Sequence, residues 1–186
     1  MSKCSIVLMK CLRRIVNKLQ GWYRYTSFID GLEEYNSNIE VKGNVNLWCD
    51  GVTVGEGVNI YPGVTLWGPG KIKIGNHVEM GINTTVHSSQ LIEIRDNVSI
   101  AAGCYIIDSN HGIEKGKLIR EQKSICKGPV VIEEDAWLGA GVKILSGVHI
   151  GKGAVVGAQS LVNRDIPDYA IAVGVPARVI GYRMEG

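Results

Sequence analysis

From Val54 onward the chain places a large aliphatic residue at every sixth position. Val54, Ile60, Leu66 and Ile72 make one run, and Ile74, Met80, Val86 and Ile92 a second. Ile94, Ile100 and Ile106 make a third, and Ile132, Leu138, Ile144, Ile150, Val156 and Val162 a fourth. The first three runs are offset from one another by two residues, which reads as two-residue insertions at corners. An even offset leaves the aliphatic set on one side of the chain. Four residues after each of Ile132, Leu138, Ile144, Ile150 and Val156 stand Ala136, Val142, Val148, Ala154 and Ser160, all small or β-branched. A helix requires a period of 3.6 and a strand a period of 2, so a beat of six fits short strands. Glycine, asparagine and aspartate at fixed offsets mark a corner once per beat. One strand and corner cannot bury its own aliphatic residue, but coils stacked about 4.8 Å apart can. The pattern predicts an all-β solenoid over residues 31–167. It leaves the hand of the coil and the number of faces open.

The pattern changes at three places. In residues 1–30, Leu8, Leu12, Ile15, Leu19 and Trp22 follow a 4-3-4-3 spacing, which predicts an amphipathic helix. Lys3, Lys10, Arg13, Arg14 and Arg24 fall roughly opposite, and no acidic residue precedes Asp30. A helix of that kind can lie on an anionic membrane through residues 3–24, or pack on the solenoid end or on another subunit. At "DSNHG" (108–112) the beat stops, and an irregular, basic loop over about 108–128 is expected before it resumes. After Pro167 the apolar residues continue without a period. Residues 168–186 therefore read as a turn and an extended tail that covers the last coil, whose edges would otherwise be unpaired.

Composition narrows the function. A net charge of +2 gives no bulk attraction to nucleic acid. Five scattered cysteines (Cys4, Cys11, Cys49, Cys104 and Cys126), with no C-x-x-C pair, read as free thiols in a reducing compartment. No apolar stretch approaches the ~20 residues of a membrane span. The opening "MSKCSIVLMKCLRR" has too short an apolar run for a cleavable signal peptide. A cytoplasmic protein, associated with the inner face of the membrane if the helix binds there, is the expectation.

Three segments carry a resemblance. "DSNHG", then "IEEDAWLGAGVKILSGVHIGKGAVVGAQSLVNRDIP" (132–167), then "AVGVPARVI" (172–180) resemble the hexapeptide-repeat acyltransferases, specifically the sugar O-acetyltransferase branch of galactoside and maltose enzymes. The resemblance covers about residues 40–183. It implies a left-handed parallel β-helix of triangular section with three hexads per coil. It also implies a homotrimer that binds acetyl-CoA between neighbouring subunits.

The candidate residues can then be named. His111 lies where the core repeat ends, with Ser109 and Gly112 leaving room around it. A free imidazole titrates near pH 6.5 and can take a proton from a sugar hydroxyl as that oxygen attacks a thioester. In the family, the matching histidine is this base. Asp108 would either orient the imidazole or cap the turn. Asn83 is a corner asparagine or, as the family suggests, an acceptor-binding residue. Trp137 is a subunit-contact residue or, by the resemblance, a wall of the CoA groove. Gly139, Ala140, Gly157 and Ala158 serve corners and keep a low wall for the pantetheine arm. The resemblance sets Arg164 against the CoA phosphates, with Arg178 a second candidate, since the guanidinium fork suits phosphate oxygens.

His77, His87, His111 and His149 are 10, 24 and 38 residues apart, without the close pair that a zinc solenoid enzyme requires, so no metal is expected. The reading is an acetyl-CoA-dependent O-acetyltransferase acting on a sugar hydroxyl of a cell-surface glycan or its precursor. The alternatives are N-acetylation of a nucleotide-linked amino sugar and acetylation of an antibiotic. From a different class, a catalytically silent solenoid would show no CoA binding.

Overall fold

The computed structural model describes residues 3–184, with side chains from residue 12 onward. Short strands stack into about seven turns of a parallel solenoid with three faces, preceded by one helix, Lys3–Ile29. The first face includes Gly51–Val54, Lys71–Ile74, Leu91–Ile94, Val130–Ile132 and His149–Ile150. The second includes Asn59–Ile60, Glu79–Met80, Ser99–Ile100, Trp137–Leu138 and Val155–Val156. The third includes Asn46–Trp48, Thr65–Trp67, Thr85–His87, Tyr105–Ile107, Lys143–Ile144 and Leu161–Val162.

Every aliphatic residue of the six-residue beat points inward and is buried. So are the small or β-branched residues four positions later, from Ala136 to Ser160. Each coil thus contributes a layer of side chains to one continuous core, and each layer is closed only by the coils above and below.

The two-residue offsets are not corner bulges. They lengthen the strands of the first face, where Val52 and Val54, Ile72 and Ile74, and Ile92 and Ile94 all point inward in pairs. Upstream coils consequently advance by 20 residues, as in Asn59 against Glu79. Later coils advance by 18, as in Trp137 against Val155. An extra pair keeps the strand's alternation, so the wall widens without turning a polar residue inward.

Corners are left-handed backbone positions. At the edge between the second and third faces Gly63, Asn83, Gly103, Gly141 and Gln159 stack with positive φ. At the edge between the first and second, Gly57, His77, Asn97, Asp135 and Gly153 do the same. Glycine and asparagine tolerate this conformation, which explains their recurrence in the sequence.

Among the described side chains of the helix, those buried are at its C-terminal end, Phe28 and Ile29. From residue 12 onward its apolar face is uncovered, with Leu12, Ile15, Leu19, Trp22 and Tyr23 all exposed. Leu8, Lys3 and Lys10 belong to the part whose side chains lie outside the description. The tail covers the last coil as expected, in two extended strands rather than one. Ala170–Gly174 adds to the second face, and Ala177–Tyr182 returns antiparallel to it, so the tail is a hairpin at the sheet's end.

Candidate functional site

The loop at 108–128 leaves the edge between the third and first faces. It is more ordered than an irregular insertion: Asn110–His111 pairs antiparallel with Ser124–Ile125, which makes a two-stranded arm. Gln122 stiffens the arm by accepting the Glu114 N–H at 2.8 Å and donating to the Glu114 and Lys117 carbonyls. Four apolar side chains of the arm, Ile113, Leu118, Ile119 and Ile125, are exposed within the chain. The expected basic residues Lys115, Lys117, Arg120, Lys123 and Lys127 are interspersed with them, and Lys117 is paired with Glu114 at 2.7 Å.

His111 is exposed on this arm, three residues beyond its root. The root itself is tightly held. Asp108 is fully buried, and its carboxylate accepts the N–H groups of Ser89, Gln90 and Leu91 at 2.7–2.9 Å. Ser88 Oγ lies 3.2 Å from the same carboxylate and 2.9 Å from Lys71 O. These groups, and not the His111 ring, occupy the carboxylate among the described residues. Of the two roles expected for Asp108, capping is therefore the one seen, and orientation of the imidazole through a direct bond is not. The aspartate ties the arm's root to the corner of the preceding coil. Ser146, one coil later, completes the clamp: its hydroxyl donates to Asp108 O and accepts the Lys127 N–H at 2.9 Å. One side chain thus holds both ends of the arm. The sequence reading did not identify Ser146, because a serine between two hexads looks like any other corner residue.

The residues assigned to the cofactor fall elsewhere. Trp137 stands outward and exposed on the second face. It lines a groove of about 550 Å³ with Glu79, Asn97, Ser99, Asp135, Val155 and Arg183. Arg183, overlooked in the sequence, is held there by Asp135 at 2.8 Å. Gly139, Ala140, Gly157 and Ala158 lie at the edge between the second and third faces. A Cβ on Gly139 would stand 2.6 Å from the Ala158 N, so bare backbone is required here by the neighbouring coil alone. Asn83 belongs to the same edge, exposed, at φ 58°. This is the corner conformation, and within the chain it lies on a different edge from His111. Arg178 sits exposed in the tail hairpin, with its Nη1 donating to Ala177 O at 2.8 Å. Arg164 is exposed just beyond Leu161–Val162, at the edge from which the arm leaves. The chain therefore gathers Trp137, Gly139, Ala140, Gly157, Ala158 and Arg178 around one region, and His111 and Arg164 at another edge.

The two buried cysteines, Cys49 and Cys104, are poor nucleophiles. Burial pushes the thiols of Cys49 and Cys104 up, away from the reactive thiolate. Cys126 Sγ lies 3.3 Å from Gly128 O. His149 points outward, as expected, and meets Glu133 at 2.8 Å. Among the described residues no three His, Cys, Asp or Glu side chains gather as metal ligands would.

Known proteins resemble this chain over the solenoid. Residues 129–164 match the bacterial transferase hexapeptide (six repeats), and residues 71–107 match the hexapeptide repeat of succinyl-transferase. The Escherichia coli galactoside O-acetyltransferase is 34% identical over 69% of this chain and 62% of its own length. The putative lipopolysaccharide biosynthesis O-acetyl transferase WbbJ of the same organism is 32% identical over 67% of this chain and 69% of its own. A probable acetyltransferase of Mycobacterium tuberculosis, Rv3034c, is 40% identical over 61% of this chain. The chain spans only 38% of that relative's length. Among solved structures, a maltose O-acetyltransferase from Clostridium difficile superposes with TM-score 0.60 at 28% identity, over 84% of this chain and 72% of that one. The Bacillus cereus N-acyltransferase AntD, solved with dTDP and coenzyme A, gives 0.78 at 24% identity, over 87% and 89%, and shares the fold. The solenoid is accordingly of the left-handed β-helix type.

Proposed function

Since the chain belongs to the hexapeptide-repeat acyltransferase family, we propose that it transfers an acetyl group from acetyl-CoA to a sugar hydroxyl of a cell-surface polysaccharide or its precursor. The relatives support the class of acceptor, being named for galactosides, lipopolysaccharide and colanic acid. The observation that carries the reading is the arm. It presents an exposed imidazole from a root clamped by Asp108 and Ser146, on an edge away from the Trp137–Gly139 region. Its exposed apolar residues suit a second copy of the chain. In a homotrimer, His111 of one subunit would face the groove of the next.

In this mechanism neutral His111 accepts the hydroxyl proton while the oxygen attacks the acetyl carbonyl. The new C–O bond forms, the C–S bond breaks, and the departing CoA thiolate takes the proton from the imidazolium. Backbone N–H groups of a coil facing the carbonyl stabilise the oxyanion. Direct transfer needs no acyl-enzyme, in keeping with the buried Cys49 and Cys104. Trp137 and the low edge at Gly139, Ala140, Gly157 and Ala158 would receive the pantetheine arm. Arg164 and Arg178, both exposed, are the phosphate candidates. Asn83, exposed at a corner of the Gly139 edge, is the polar candidate for contact with the acceptor.

His111→Ala should lower kcat by about 10²–10⁴ and leave the Kd for CoA nearly unchanged. Thiol release from acetyl-CoA with an acceptor, together with calorimetry for CoA, checks this. Wild-type kcat in the variant, or a stable acetylated enzyme formed without acceptor, would sink the mechanism.

We place the reaction at the inner face of the membrane. No helix among the described residues is long and apolar enough to cross a bilayer. Contact would come from the Lys3–Ile29 helix lying flat, its uncovered apolar face against the lipid and its arginines and lysines against anionic headgroups.

A further inference from the structure

The edge between the third and first faces carries a feature that the repeat does not require. At the outward end of the first four third-face strands, Trp48, Trp67, His87 and Ile107 stand in register, one per coil. Trp48 is 69% and Trp67 39% exposed. The Trp67 and His87 rings lie 4.0 Å apart between centroids, tilted by 43°. Gly68 keeps this contact open, because a Cβ there would stand 3.1 Å from His87 Cδ2 and would meet Ser88 O. His87 Nδ1 is the buried side-chain polar atom left without a hydrogen-bond partner among the described residues. Such an atom costs free energy, and its retention calls for an explanation. Burial holds the His87 imidazole below its ordinary pKa, while the neighbouring Asp108 charge opposes the shift, so the ring is neutral near pH 7.

The column ends beneath the catalytic arm. The His87 carbonyl faces the Asp108 N–H at 3.4 Å, and Ser89 Oγ lies 2.8 Å from Ser109 Oγ, two residues before His111. At its other end the column opens onto a groove of about 340 Å³ floored by Gly68, Pro69 and Gly70. Trp48 walls this groove, and Glu33, Asp50 and Lys71 line it with charge. An aromatic face flanked by carboxylates and an ammonium matches a pyranose, which has an apolar ring face and a rim of hydroxyls. Coils stack about 4.8 Å apart, so Trp48 lies roughly 10 Å from His87 along the edge. That is longer than one sugar ring.

We propose that the Trp48–Trp67–His87 edge is the acceptor subsite, and that it binds an extended carbohydrate chain whose sugar rings lie on the two indoles while the acetylated ring stands beside His111. The inference deepens the acetyltransferase reading and rests on it. It makes Trp48 and Trp67 specificity-determining and His87 a positioning residue that sets the Trp67 indole.

The test is binding of the full-length protein to an array of immobilised mono- to hexasaccharides built from glucose, galactose and N-acetylglucosamine. Calorimetry with CoA and light scattering accompany it. Binding is expected to oligosaccharides of three or more sugars and not to monosaccharides. Trp67→Ala should weaken it at least tenfold, Trp48→Ala should weaken it for the longer chains alone, and His87→Asn should weaken it less than Trp67→Ala does. All three variants should keep the wild-type Kd for CoA and the wild-type mass. Equal binding of monosaccharides and longer chains, no binding to any saccharide on the array, or full binding by Trp67→Ala overturns the proposal. A loss of oligomer mass in Trp67→Ala overturns it too, because the column is then a subunit contact. If the wild type binds oligosaccharides but not CoA, the acetyltransferase reading fails and the carbohydrate edge stands.

Discussion

Asp108 shows how a single residue can look catalytic and act structurally. In the sequence it stands three places before the histidine, where an orienting carboxylate is expected. In the fold it is fully buried and spends its oxygens on the N–H groups of Ser89, Gln90 and Leu91. Removing the carboxylate leaves three donors without that acceptor, and a buried unsatisfied group costs about 1–3 kcal/mol. Asp108→Ala should therefore lower the midpoint of thermal unfolding by several degrees and reduce activity through the arm's placement. Ser146→Ala, which frees both arm ends at once, should cost roughly 1–3 kcal/mol and increase amide hydrogen exchange over residues 108–128. Unchanged exchange in the Ser146 variant would show that the arm is held by something other than this clamp. The sequence allows a capping role for Asp108 without naming its partners and does not mark Ser146 at all, because a cap and a clamp are defined by partners 17 to 38 residues away.

Among elements, the helix Lys3–Ile29 leaves an apolar face open along its described side chains. Its amphipathic spacing was legible from Leu12, Ile15, Leu19 and Trp22, and the fold adds that these side chains remain exposed, while Phe28 and Ile29 are the buried ones among its described residues. Tyr23 joins the stripe, and Arg13, Arg14, Lys18 and Arg24 are available to anionic headgroups at about 1 kcal/mol each. Full-length protein should float with vesicles containing anionic lipid. A form lacking residues 1–26 should stay at the bottom of the gradient, as should the full-length protein with purely zwitterionic vesicles. Equal behaviour of the two forms would assign the helix to a protein contact. The arm is the opposite case. Its basic character could be read directly, but the pairing of Asn110–His111 with Ser124–Ile125 could not, since two residues per strand leave no periodicity to detect.

For the whole molecule, the separation of His111 from the Trp137 region argues that one chain holds two halves of different sites. A closed trimer would bring the arm of each subunit to the groove of the next. Co-expression of His111→Ala with Trp137→Ala should then yield about a quarter of wild-type activity at equal amounts, because each site draws one half from each neighbour at random. Either variant alone should be strongly impaired. Activity no greater than the mean of the two separate variants would mean that each site is built within one subunit.

Which residues point inward was decided along the chain itself. The beat of six is set by strand alternation and by the left-handed corner, both local, and every aliphatic residue of the beat is buried in the fold. The basic amphipathic helix and the interruption at His111 are local in the same sense. Stacking decided the rest. The extra pairs at Ile72/Ile74 and Ile92/Ile94 fit either a bulged corner or a wider wall until neighbouring strands are aligned, and alignment selects the wall. The partners of Asp108, the clamp at Ser146 and the column from Trp48 to His87 join residues about one coil or more apart. Such contacts depend on how many residues each coil contains, and that number is settled only when the coils pack on one another.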